Sequence, residues 1–180
     1  MNSFQFPEFE INPISEKDGW RLCDFISANA DDITRYFPKT VESNLNPTLS
    51  NLFVLEKMSD FLLGKEYLFT LKEPEHRKII GLIYLKELKR EAKEAEIAYC
   101  IGYTHQNQGF ASKAVKTISE WGFNEQGLNR LRIIAHKTNL SSIKVAENCD
   151  YIWEETLLKE HTPPNEDPLD MELYVLQNER

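Results

Sequence analysis

The chain has 180 residues, 41% apolar and 11% aromatic, which suffices for one globular domain with a proper core and leaves too little for two. Its 21 basic and 29 acidic residues give a net charge of −8 with no basic block, which argues against nucleic acid as principal partner and suits a cationic or amine substrate better. Residues 1–9 lack a basic segment leading into an apolar one, and no run of about 18 apolar residues occurs, so neither export nor a membrane span is expected and the expected compartment is the cytoplasm.

In chain order, residues 4–11 read as an extended edge segment interrupted by Pro7 and closed at Pro13. Ser15 to Asp18 resembles a capping box, after which Trp20, Cys23, Phe25, Ile26 and Ala30 keep helical spacing, and residues 31–37 read as a broken second helix. Pro47 suits a first helical position, and Leu49, Leu52, Leu55, Met58, Phe61 and Leu62 form an apolar stripe running to a stop at Gly64. Segments 67–72 and 78–85 are β-rich and separated by a hairpin-length loop, while 88–94 is charged and expected on the surface. A strand is predicted over 95–101, a helix over 109–123 ending at Gly127, a strand over 131–135, and a short helix over 141–148. Segments 151–158 and 169–176 close the chain as a strand pair around the loop 161–168. There is no repeat or linker, so one α+β domain over 1–180 is expected.

The most informative stretch is Gln106, Asn107, Gln108, Gly109, Phe110 and Ala111, which joins the strand ending in Cys100 and Ile101 to a helix. A helix start presents unpaired N–H groups and the positive end of the macrodipole, so a diphosphate can be held there without a cationic side chain. A glycine-containing turn is most often only a turn, so the surroundings must decide. No Gly-x-x-x-x-Gly-Lys-Ser/Thr or Gly-x-Gly-x-x-Gly occurs, which removes the Walker and dinucleotide types. Cys23, Cys100 and Cys149 are widely spaced and read as small buried hydrophobes, and His76, His105, His136 and His161 have no metal-ligand spacing and read as surface or loop residues, so no metal site is expected. Asn139 and Ser142, three apart at a helix start, read first as an N-cap pair.

Gln106, Gly109 and Ala111 match the Gln/Arg-x-x-Gly-x-Gly/Ala hallmark of the GNAT superfamily of acyl-CoA-dependent N-acyltransferases, which the chain resembles over nearly its whole length. Asn139, Ser142 and Val145, followed by Tyr151 and Glu154, resemble that family's second segment. Tyr99-Cys100-Ile101 and residues 170–176 resemble its RimJ/RimL branch of ribosomal-protein N-terminal acetyltransferases. Two departures from the pattern, Asn107 and Asp150, both replace glycine with residues that tolerate left-handed backbone.

The resemblance implies a central mixed, mostly antiparallel twisted sheet of about seven strands flanked by helices, with a splayed strand pair forming an acyl-CoA cleft. It implies that backbone groups near Cys100 and Ile101 bind the pantetheine arm, and that the N–H groups from Asn107 to Ala111, with Gln106, take the diphosphate of acetyl-CoA. Asn139 would contact the pantetheine end, and Ser142 would protonate the departing thiolate. Glu96 would accept the amine's proton through water, and a solvated edge carboxylate is its plain alternative. Tyr36 and Phe37, with Asp31 or Asp32, would line the acceptor pocket, or Tyr36 and Phe37 would form only a packed aromatic pair; His105 would at most assist phosphate binding. The implied activity is N-acetylation of a primary amine, a protein N-terminus or a small cationic amine, by direct attack in a ternary complex. The implied state is monomer or homodimer, and the competing reading is a catalytically silent acyl-CoA-binding module.

Overall fold

The computed structural model describes residues 3–178. Eight strands form one sheet: β1 (Phe4–Gln5), β2 (Glu10–Pro13), β3 (Tyr67–Lys72), β4 (Ile79–Lys89), β5 (Glu94–Ile101), β6 (Arg130–His136), β7 (Ile152–His161) and β8 (Leu169–Gln177). Their order is β1-β2-β3-β4-β5-β6-β8-β7, and every neighbouring pair is antiparallel except β5 and β6. The eighth strand arises because the first extended segment folds on itself at Pro7, where Phe6 N–H donates to Phe9 O at 2.9 Å.

Helices α1 (Gly19–Ile33), α2 (Pro38–Glu42) and α3 (Pro47–Leu62) cover one face of the sheet, where Leu22, Phe25, Phe53 and Val54 pack on Leu68, Leu82 and Tyr84. Helices α4 (Phe110–Gln126) and α5 (Leu140–Asn148) cover the other, where Val115, Ile118 and Ala146 pack on Phe69, Ile83 and Ile97. Because both faces are covered, β3 is buried along its whole length, and successive residues of β4 alternate between the two cores. In β4, Gly81 admits β5: a Cβ there would lie 2.7 Å from Ile101 Cδ1 and 2.9 Å from the Cys100 carbonyl.

The segment 88–94 lies at the surface as expected, with Lys89 to Lys93 exposed between the end of β4 and the start of β5 at Glu94. One expectation is corrected. Of the apolar stripe of α3 only Met58 and Phe61 pack against the core: Leu52, Leu55 and Leu62 are 59%, 56% and 71% exposed, and Ser50, Phe53 and Val54 are buried instead. That helix is apolar on both sides, so its period reported a helix without saying which side was inward.

At the base of the sheet a buried ion pair ties the entry of α1 to β3. Lys72 Nζ lies 2.6 Å from Asp18 Oδ1, with side chains 5% and 1% exposed, and Asp18 Oδ2 also accepts from the Ser15 N–H and hydroxyl, both at 2.9 Å. At the far edge β7 is exposed over most of its length, and a register shift around Lys159, which has φ 53°, breaks the regularity of that edge.

Candidate active site

The parallel pairing of β5 with β6 runs only from Glu94↔Arg130 to Glu96↔Arg132 and then stops. Glu94 closes this end, ion-paired with Arg130 at 2.7 Å, Arg132 at 3.2 Å and Lys89 at 3.1 Å. Burial raises its carboxyl, but the Lys89 hydrogen bond and the two arginines outweigh burial and hold it below its ordinary value. Beyond Glu96 the strands diverge into a cleft of about 820 Å³.

At one end of the cleft is the strand-to-helix turn. The Gln106 side-chain amide donates to Ile101 O at 3.2 Å and anchors the loop to the end of β5. Asn107 and Gly109 adopt left-handed φ of 60° and 77°, which turns the chain into α4. Lys113 N–H donates to Gly109 O at 3.0 Å, so the preceding N–H groups, 109–112, have no partner within the helix. A Cβ built on Gly109 meets no atom within 4 Å, so the space beside the turn at this residue is open. Gln106, Asn107, Gly109, Phe110 and Ala111 line the cleft, whereas Gln108 turns away and donates to Thr104 O at 3.1 Å. His105 also lines it, held by Thr104 Oγ1 at 2.9 Å and 3.4 Å from Glu73.

At the middle of the cleft, α5 starts with Asn139, whose Oδ1 accepts from Ser142 N–H at 3.2 Å and from the Ser141 hydroxyl at 2.9 Å. Ser142 Oγ lies 2.9 Å from the Tyr99 hydroxyl, which crosses from β5 to α5. Burial pushes the Tyr99 phenol well above its ordinary value, against the Ser142 hydrogen bond, so it stays protonated at any working pH. Cys100 lines the same cleft, and burial pushes its thiol up to about 12, which leaves it a poor nucleophile.

At the other end, Glu96 carries an ion pair to Lys86 at 3.0 Å, its side chain 12% exposed. Asp32, Tyr36 and Phe37 line this end and Asp31 does not. Phe37 stacks on Tyr84 with centroids 6.1 Å apart, and Tyr36 lies 5.9 Å from the ring of His161. His161 Nε2 contacts Arg35 O at 2.7 Å, and Arg35 is bidentate to Glu166, so the β7–β8 loop is strapped to the end of α1. Two histidines read as surface or loop residues stand elsewhere: His136 is buried at the end of β6 against Thr138, and His161 ends β7 half-buried in the cleft wall.

The structure thus brings every candidate residue except Gln108 and Asp31 into one cleft, and adds Tyr99, Lys86 and His161. Period-two alternation along β5 sets Tyr99 on the same face as Ile97 and Ile101, and its contact with Ser142 spans 43 residues of chain. Both left-handed substitutes behave as their chemistry allows, Asp150 with φ 63° after α5.

A sheet that splits beside an unpaired helix start is the architecture of acyltransferases, and residues 9–152 match the family model for the acetyltransferase (GNAT) domain. The chain belongs to that family and is an N-acetyltransferase. It is 26% identical over 176 residues to the uncharacterized N-acetyltransferase p20 of Bacillus licheniformis, covering 98% of this chain and 96% of that one. Its fold is similar to ribosomal-protein-S5-alanine acetyltransferase from Vibrio fischeri, with TM-score 0.93, 20% identity, and coverage of 99% and 98% of the two chains. It is also similar to RimL, a ribosomal L7/L12 α-N-protein acetyltransferase solved in complex with coenzyme A, with TM-score 0.87, 16% identity, and 98% of each chain covered.

Proposed function

We propose that the protein, working as one domain over 1–180 in the cytoplasm, transfers the acetyl group of acetyl-CoA to a primary amine by direct attack in a ternary complex. One observation carries the reading: β5 and β6 part after Glu96 and Arg132, and the gap opens onto the free N–H groups and empty space at Gly109. The residues present fit the donor. The N–H groups of 109–112 suit its diphosphate, and the freed edge of β5 near Cys100 and Ile101 suits the amides of its pantetheine arm. Bound there, acetyl-CoA supplies an activated acyl group with a thiol leaving group.

The chain's own groups do the rest. Glu96, oriented by Lys86, accepts the amine's proton through water. Ser142 donates its hydroxyl toward the departing sulfur, with Asn139 holding the start of α5 in place. Asp32 and Glu160 line the acceptor end and make no ion pair among the described residues, which favours a cationic amine, on a protein N-terminus or a small molecule. The high thiol value of Cys100 favours direct transfer over an acyl-cysteine.

The test is release of free thiol from acetyl-CoA by the purified protein with a panel of amines. Saturable CoA binding with no turnover on any amine would leave a silent binding module. Glu96→Gln is expected to lower turnover about 10–100-fold at pH 6.5, with the deficit shrinking toward pH 9.5, because amines of pKa about 8 to 10 lose their own proton there. An unchanged pH profile removes Glu96 from the mechanism.

Gly109→Ala tests the diphosphate site. The methyl group would enter the open space beside the turn, so KM for acetyl-CoA should rise about tenfold or more with kcat less affected. Gly127→Ala is the control: it has a similar φ of 65° and equally open surroundings, but lies at the other end of α4. Both variants should lose about 1–2 kcal/mol of stability from left-handed strain, and only Gly109→Ala should weaken CoA binding. Equal effects on binding would dissociate Gly109 from the site.

A further inference from the structure

The leucines that α3 turns outward form a continuous face. At 100° per residue, Leu49, Leu52, Leu55 and Leu62 fall within about 140° of arc. Leu45 before the helix and Leu63 after it extend the face, with exposures of 65% and 64%. The other exposed positions in the arc are Thr48, Ser59 and Glu56, so one charge interrupts six leucines. Their summed exposure equals about three and a half whole leucine residues, roughly 600 Å², against the few hundred Å² a monomer usually leaves contiguous and the ~800 Å² per partner of a standard interface.

The order of residues on this face says what covers it. About the midpoint between Phe53 and Val54, the centre of the face reads alike in both directions: Leu52 mirrors Leu55, Thr48 mirrors Ser59, and Leu45 mirrors Leu62, while Leu49 and Leu63 mirror Met58 and the buried Asn44, which lie off the face. An antiparallel copy of the helix laid on this face therefore sets leucine on leucine and hydroxyl on hydroxyl. Glu56 then falls opposite Asn51, so no like charges meet. A two-fold interface requires a patch that is complementary to itself, and this pattern supplies one. A lipid surface is disfavoured, because the face carries no lysine or arginine to meet headgroups and the chain has net charge −8.

We propose that the protein is a homodimer through α3, with the two copies antiparallel across a two-fold axis near Phe53 and Val54. The inference is independent of the proposed acetyl transfer, since none of these leucines lines the cleft.

Sedimentation of the full chain from 1 to 200 µM tests it. The expected species has twice the 21.0 kDa chain mass, and Leu52→Glu/Leu55→Glu should return it to 21.0 kDa with unchanged circular dichroism and CoA binding. Register is read by oxidation: Leu52→Cys chains mixed with Leu55→Cys chains should cross-link several-fold faster than either alone, with the wild type controlling for the native cysteines. A wild-type monomer at 200 µM overturns the proposal. A dimer that survives the double substitution, or a monomer that instead sediments with phosphatidylcholine vesicles, does so equally.

Discussion

Lys72→Met is expected to destabilise the protein by about 3–5 kcal/mol, because it leaves the Asp18 carboxylate buried without its counter-charge. The pair lies at the joint between the capping box that starts α1 and the end of β3, with both side chains almost fully enclosed. For a chain of this size the melting temperature should fall by roughly 10–15 °C. The two Ser15 hydrogen bonds to Asp18 remain and cannot compensate, since they were present beforehand. Asp18→Asn in the Lys72→Met background should recover at least half the loss, as the amide oxygen keeps the Ser15 N–H bond and no net charge stays buried. Urea denaturation of the four proteins in a double-mutant cycle measures this, and a loss under about 1 kcal/mol for Lys72→Met would show that the pair contributes little.

What the sequence made legible followed from local chemistry. Gln106 to Ala111 could be read because a glycine turn between an apolar strand and a helix is specified within six residues, and Asn107 and Asp150 because short polar side chains are among the few that take left-handed backbone. The order of strands and helices, and the grouping of Glu96 with Asn139 and Ser142, came from a family resemblance that spans the chain. The orientation of α3 was not legible. Phe53, Val54, Met58 and Phe61 offer as apolar a surface as the leucines do, and only the shape of the sheet face selects between the two sides. Nor were the partners of the site residues legible: Lys86 meets Glu96 through the register of β4 and β5, and Tyr99 meets Ser142 because β5 and α5 face each other across a gap that no local signal encodes.

That last contact sets the second large effect. Ser142→Ala is expected to lower kcat by about 100-fold with KM for acetyl-CoA within a few-fold, because in the proposed mechanism its hydroxyl acts where charge develops on the departing sulfur and not in ground-state binding. In that mechanism Tyr99 acts through it, since its phenol, kept protonated by burial, lies 2.9 Å from Ser142 Oγ and can fix the serine hydroxyl. Tyr99→Phe should therefore cost about tenfold in kcat, and the double variant should be no slower than Ser142→Ala alone, since two groups acting in series are not additive. The comparison also assigns the donor. If Tyr99→Phe is the more damaging change, the phenol faces the sulfur and Ser142 positions it; if the two losses multiply, each group contacts the leaving thiol independently.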